Sequence, residues 1–387
     1  EINLLDHDGT TAIIQALTVS GSLGSLGPIR AARIEGNWQV GLDINDNVTL
    51  DSLFGELRCR NFENFTIRSA APGPAGTRII STSAGTYGYT LDVAGDVEYL
   101  EFDGPVSGHI HIRRDLLNIV LVSNLNQDGR LDIDRDAYDA YFVSSLRGPV
   151  TIGQHQRGFW DFLVGTIGGT LIIGGDLGGY LQFRTLDIEG TIDMGNLTGM
   201  IELWGGSLAA TSLLRVRQDF TGTLSIGTWC NGENGCDLSG SVVVAGGYSG
   251  AISAARDIHG DVIIMGDMHG VIHGADMTGT LFVGGNMGGP QGPTYLHVAN
   301  LLDLAGDMSG GHVIVNGWFG GGVQYNPCLI EIEGVMQPNT TFLAFNMTRL
   351  HLWSRGLTTA ACGWAATRTP GTRRACTFGL CRAARAT

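Results

Sequence analysis

The sequence predicts an all-β chain folded as a parallel β-solenoid (β-helix), built from strand-turn units of about ten residues. Three observations carry that expectation. The first is a repeat. From Leu238 to Gly288 the chain reads LSGSVVVAGG, YSGAISAARD, IHGDVIIMGD, MHGVIHGAD, MTGTLFVGGN, MGG. Each unit opens on an apolar or aromatic residue (Leu238, Tyr248, Ile258, Met268, Met277), and Gly follows two places on (Gly240, Gly250, Gly260, Gly270, Gly279). The second is composition. Glycine supplies 60 of 387 residues, yet mean hydropathy is +0.12, so glycine punctuates buried strands and does not make a linker. The third is the lack of any rival period. Helical arrays need 3.6-residue periodicity and good helix formers, and propeller blades repeat at roughly 40–50 residues.

The unit has a physical logic. A strand of four or five residues, at about 3.3 Å each, cannot bury an apolar face alone. Stacked on its neighbours it can, with parallel hydrogen bonds between coils and apolar side chains in a shared core. The glycine fits where backbone turns a corner. The Asp or Asn that ends four units (Asp257, Asp267, Asp276, Asn286) suits the capping of backbone amides in the turn. Two or three units would close a coil of roughly 20–30 residues.

In chain order, residues 1–122 read as a worn N-terminal stretch of the solenoid, or its cap. TAIIQALTVSGSL, RIEGNWQVGLDI and GELRCRNFENFTIRS are strand-like, and APGPAG (71–76) is a loop. In HIHIR, His109 and His111 share a strand face; they read as two surface histidines, the alternative being a two-His metal site that lacks an evident third ligand.

Residues 123–145 interrupt the rhythm with NLNQDGRLDIDRD and read as an inserted loop. The stretch resembles the calcium loop of EF-hand and dockerin segments. That resemblance implies calcium held by Asn124, Asn126, Asp128, the Arg130 carbonyl and Asp132, with Gly129 at a positive-φ turn. The twelfth position is Arg135 where an acid belongs, so Asp134 or Asp136 would supply the carboxylate from a shifted register. RDAYDAYFV would then form one or two helical turns.

Residues 146–333 are the main solenoid. The polar loop CNGENGC interrupts it, placing Cys230 and Cys236 for a small disulfide. Residues 334–387 form a basic, Cys-containing cap or tail. They carry seven Arg and no acid (+7), against 16 Arg and 37 acids (−21) in residues 1–333. No Lys occurs, so all 23 basic residues are Arg.

Units such as IHGDVIIMGD and MTGTLFVGGN, with a dockerin-like loop in one chain, resemble the Gly-rich β-solenoid repeats of large secreted proteins of planctomycete-type bacteria. The resemblance implies an exported or cell-surface protein. A chain starting at Glu1, without Met, is consistent with a cleaved secretory leader.

These features narrow the function. An acidic body argues against nucleic-acid binding, and no apolar run reaches the ~18–20 residues of a membrane span. No nucleophile elbow, P-loop or dinucleotide fingerprint occurs. A solenoid end is an unpaired strand edge and a template for another copy. The leading expectation is therefore a non-enzymatic extracellular protein that assembles head-to-tail into a filament or surface layer. The alternatives are a polysaccharide-acting β-helix enzyme or a glycan-binding adhesin. The adhesin would stack sugars on Trp160, Trp204, Trp229, Trp318 or Trp353, and stacked histidines (His259, His269, His273) are the best catalytic cluster.

Overall fold

The structure is a computed structural model. It describes residues 90–121, 123–163, 167–184, 187–227, 236–268, 270–274 and 279–284 throughout, with shorter stretches between 38 and 82. Towards both termini it describes little beyond the strands. The fold is the expected parallel β-solenoid, with no helix among the described residues. The backbone divides into two units, residues 1–185 and 186–387.

In the first unit two parallel ladders run side by side through the same coils. One contains Phe65–Ile67, Thr90–Val93, His109–Ile112, Arg130–Ile133, Val150–Ile152 and Thr170–Ile173. The other contains Arg78–Ser81, Tyr99–Phe102, Leu116–Leu121, Ala137–Phe142, Phe159–Phe162 and Tyr180–Phe183. Every strand pairs with the next but one, so two sequence units close one coil. Leu131 pairs with Val150, 19 residues on, and Val150 with Leu171, 21 on. At the N-terminal end the single strand Ile29–Val40 spans both ladders, pairing with Ile2–Leu4 and Ile13–Val19.

The second unit repeats the plan. Thr191–Met194, Leu213–Val216, Ser241–Val244, Val262–Ile264 and Thr280–Val283 make one ladder. Met200–Leu203, Thr223–Ile226, Ala251–Ala254 and Val271–Gly274 make the other. The CNGENGC insertion lengthens one coil without disturbing its register: Leu213 pairs with Ser241, 28 residues on, where Val242 pairs with Val262, 20 on. Cys236 is buried, while Cys230 lies outside the described residues. The first ladder continues to Thr341–Met347, where Arg374–Cys376 joins antiparallel; the second continues to Leu350–Leu357. The basic C-terminal region thus supplies a strand at the end of one ladder.

Alternation fills the core. Strands such as Leu91 and Val93, or Ile110 and Ile112, turn every second side chain inward. Among the described residues, those that open the repeat units sit between strands and form single-residue bridges from coil to coil. Leu238 pairs with Ile258, and Tyr248 with Met268. All four are fully buried. In the first unit Phe142, Phe162 and Phe183 stack coil on coil inside the core, with ring centroids 4.7 and 4.4 Å apart.

The repeat glycines serve this stacking. None of Gly240, Gly250, Gly260, Gly270 and Gly279 takes a positive φ. A Cβ on Gly260 would instead lie 2.8 Å from the Gly240 carbonyl carbon one coil away, and closer still to its oxygen. Close backbone approach between coils, more than the bend of the chain, selects glycine.

Candidate functional site

The Asp and Asn residues that end repeat units cap amides, but across coils. Among the described residues, several polar side chains that sit just before a bridge residue, most of them Asp or Asn, accept from the backbone N–H of a counterpart one coil on. In the second unit Asp187 accepts from Ser207 (2.6 Å), Ser207 from Asp237 (3.2 Å) and Asp237 from Asp257 (3.2 Å). On another corner Asn196 accepts from Asp219 (2.9 Å) and Asp219 from Gly247 (2.8 Å). In the first unit Asp96 accepts from Asp115, Asp115 from Asp136, and Asp136 from His155. Their carbonyls run the opposite way, Asp257 C=O accepting from Leu238 N–H at 2.9 Å. Polar corners are therefore stitched vertically, as the strands are.

This stitching accounts for the stretch expected to form a calcium loop. Residues 123–145 form a coil of the first unit and not an insertion. Leu125 is a bridge residue between Val106 and Leu146, and Arg130–Ile133 lies within a ladder. Asn124 accepts from Ser145 N–H at 3.1 Å and from the Ser144 hydroxyl, and Asn126 donates to Ser107 at 2.7 Å. Asp128 is exposed on the turn. The Arg130 side chain pairs with Asp132, Asp134 meets His111, and Asp136 holds Arg157 at 2.8 Å. Gly129 lacks the expected positive φ, and a Cβ there would strike the Val106 carbonyl and Leu125. The helical turns expected next are the strand Ala137–Phe142. The seven positions thus run along a coil, each engaged with its neighbours or solvent.

The outer face of the ladder Thr90–Val93, His109–Ile112, Arg130–Ile133 gathers a cluster of ionisable groups. Asp92, His111 and Asp132 are in register on three adjacent strands, and Thr90, His109 and Arg130 form the next column. Both histidines point outward because Ile110 and Ile112 point in. Their rings lie nearly parallel, centroids 5.8 Å apart. His109 Nε2 is 2.7 Å from Asp132 Oδ2. His111 Nε2 is 2.9 Å from Asp134 Oδ1, and its Nδ1 is 3.5 Å from Asp92 Oδ1. Arg113 grips Asp92 with two bonds of 2.9 and 2.7 Å. Asp132, only 8% exposed, is pushed up by burial, but bonds from Arg130 and His109 outweigh this and hold its carboxyl below the usual range.

Among the described residues one group of three potential metal ligands already has its atoms within 4.8 Å: Asp237, Asp257 and His259. It is a product of the corner stacking, since the Asp237 carboxylate caps the Asp257 amide. His269, which would stack on His259 if each unit lay directly on the next, is outside the described residues. Of the tryptophans expected on the surface, Trp160 is fully buried, its indole N–H donating to Tyr138 C=O at 2.8 Å. Trp204 is half-buried, and the side chains of Trp229, Trp318 and Trp353 lie outside the described residues.

The sequence reading missed an aromatic strip on the first unit's other ladder. Tyr141 and Phe159 are 37% and 38% exposed, and Phe159 lies 5.1 Å from the ring of Tyr180 on the next coil. The signal was present in FWDF, where alternation puts Trp160 inside and Phe159 out.

Comparison with protein-family models, curated proteins and solved structures finds no match.

Proposed function

We propose that the chain is a non-enzymatic structural solenoid of the extracellular space or cell surface, which associates head-to-tail with further copies through its strand edges. The observation that carries this reading is the vertical use of polar groups. Corner carboxylates, strand amides and ladder ion pairs each serve the next coil, so an end coil offers the same donors and acceptors to another chain. Among the described strands, Arg374–Cys376 joins one ladder antiparallel and none adds to Leu350–Leu357, which makes that edge the favoured site of addition. The acidic body and the +7 C-terminal region suit opposed ends that meet. A disulfide between Cys230 and Cys236 belongs to the same extracellular reading. The reading does not call on calcium: Asn124 and Asp136, two of the residues expected to bind it, serve neighbouring coils.

Light scattering over a wide concentration range is the test. Mass should grow with concentration, and more weakly at high salt. A constant monomer mass at every concentration and salt overturns the proposal. A second reading, adhesion to glycans, draws on the exposed rings of Tyr141 and Phe159. Retention on insoluble polysaccharide that is lost in Phe159→Ser would support it.

A further inference from the structure

One corner of the first unit is built from a different chemistry. Asp96, Asp115 and Asp136 each stand just before a bridge residue and cap an amide of the next coil. On the following coil that place falls to His155, with Gln156 as the bridge residue. Its imidazole takes the carboxylate's role: Asp176 N–H donates to His155 Nδ1 at 3.0 Å. We propose that His155 is a proton-operated link between two coils, which holds the Asp176 amide while the ring is neutral and releases it when the ring is protonated.

The contact itself sets the condition. A ring nitrogen accepts a hydrogen bond only when it carries no proton, so the neutral ring keeps its proton on Nε2. A second proton, on Nδ1, would set two donors against each other. A carboxylate in this place remains an acceptor down to about pH 4, whereas histidine changes its charge between about pH 5 and 8. The link present at higher pH is therefore lost as pH falls through the titration of the ring, while the carboxylate corners of the preceding coils persist.

The surroundings accommodate both states. Gly175 leaves room for the ring, since a Cβ there would lie 2.8 Å from both Cε1 and Nδ1 of His155. The side chain is 33% exposed, which gives protons a path from solvent. On the preceding coil Asp136 accepts from His155 N–H at 3.0 Å and pairs with Arg157 at 2.8 Å. Arg135 is directed to Asp115, 3.6 Å away. On the following coil Asp176 Oδ2 lies 3.6 Å from Nδ1. A protonated Nδ1 thus has a new partner at hand, and it turns from the Asp176 amide to the Asp176 carboxylate. The coils stay joined meanwhile, because Gln156 N–H donates to Asp176 C=O at 3.0 Å in a contact that involves no titrating group. Protonation opens one amide and leaves the stack intact. The inference goes beyond the structural reading and stands whether or not copies assemble.

The experiment is amide hydrogen exchange on the full chain, followed residue by residue from about pH 8 to about pH 5, with each rate referred to that of an unstructured chain at the same pH. Protection at the Asp176 amide should fall by roughly fivefold to tenfold across this range, the worth of one hydrogen bond. Protection at the Asp115 and Asp136 amides, which carboxylates cap, should hold. Nitrogen chemical shifts of His155 should report a proton on Nε2 and none on Nδ1 at about pH 8. His155→Asn keeps an acceptor oxygen, removes the titrating ring and leaves the other histidines in place, so its Asp176 protection should not change with pH. Constant protection at Asp176 in wild type, an equal fall in His155→Asn, or a proton on Nδ1 at about pH 8 would each overturn the proposal. The two wild-type readouts decide it even if the variant does not fold.

Discussion

Gly260→Ala tests the coil-on-coil packing at its tightest point. A new Cβ would stand 2.8 Å from the carbonyl carbons of both Gly240 and Ser239, and closer to the Gly240 oxygen. Real Cβ atoms essentially never come within 3.0 Å of such neighbours, so something must shift. The obstacle is backbone held between coils on either side, because Gly240 N–H donates to Leu208 C=O and Gly260 N–H to Leu238 C=O, each at 2.8 Å. Neither can rotate away as a side chain would. Overpacking of this kind costs about 1–3 kcal/mol, sometimes more. Alanine also stiffens the unfolded chain, which returns about 0.4–1 kcal/mol. The net expectation is a loss of about 1–2 kcal/mol. Gly247→Ala is the matched control. Its Cβ would find only Asp219 Oδ1 at 3.5 Å and Asp267 O at 3.9 Å, and its φ is not positive. That variant keeps the unfolded-state gain alone and should be neutral or slightly stabilised. Urea denaturation followed by circular dichroism reads both. Equal midpoints for the two variants, or an unchanged midpoint for Gly260→Ala, would refute the claim that coil spacing selects the repeat glycines.

Three further outcomes are expected. Phe162→Ala removes the middle ring of the buried Phe142–Phe162–Phe183 stack and should cost about 3–5 kcal/mol in the same denaturation assay. Asp219→Ala removes the acceptor for Gly247 N–H and should cost about 1 kcal/mol, while Asp219→Asn, which keeps an acceptor oxygen, should cost less. The third outcome concerns acid. Asp132 titrates below its ordinary value in the folded chain, so its stabilising share is complete above the unfolded value of about 4 and disappears as pH falls through the folded one. Thermal midpoints of wild type should therefore fall below about pH 4 more steeply than those of Asp132→Asn.

Much of the fold was legible because the repeat states it. The bridge residues Leu238, Tyr248, Ile258 and Met268 and the glycines after them were visible as a period, and the structure gives each position one role. Coil size was not legible. A strand such as Ser241–Val244 has the same inward and outward alternation whichever neighbour it stacks on, so nothing local says that its partner begins near Val262. The path of Asn124–Asp136, a coil and not an insertion followed by helical turns, was hidden for a related physical reason. Dense Asn, Asp and Gly look alike whether their oxygens converge on one ion or cap amides about twenty residues away. The His109, His111 and Asp132 cluster was invisible as a unit because its members lie on two coils, 21–23 residues apart in sequence. The exposed rings of Tyr141 and Phe159 were readable from alternation, but the eye goes to tryptophan, and Trp160 turned out to be core.

The central claim is that copies extend the same stack of coils that each chain contains. Fibre diffraction from aligned, concentrated protein tests it directly. Stacking that continues from chain to chain would place the inter-strand repeat of about 4.7–4.9 Å along the fibre axis, with electron microscopy showing filaments one solenoid wide. Isotropic scattering from separate particles, with no axial reflection at that spacing, would contradict the account.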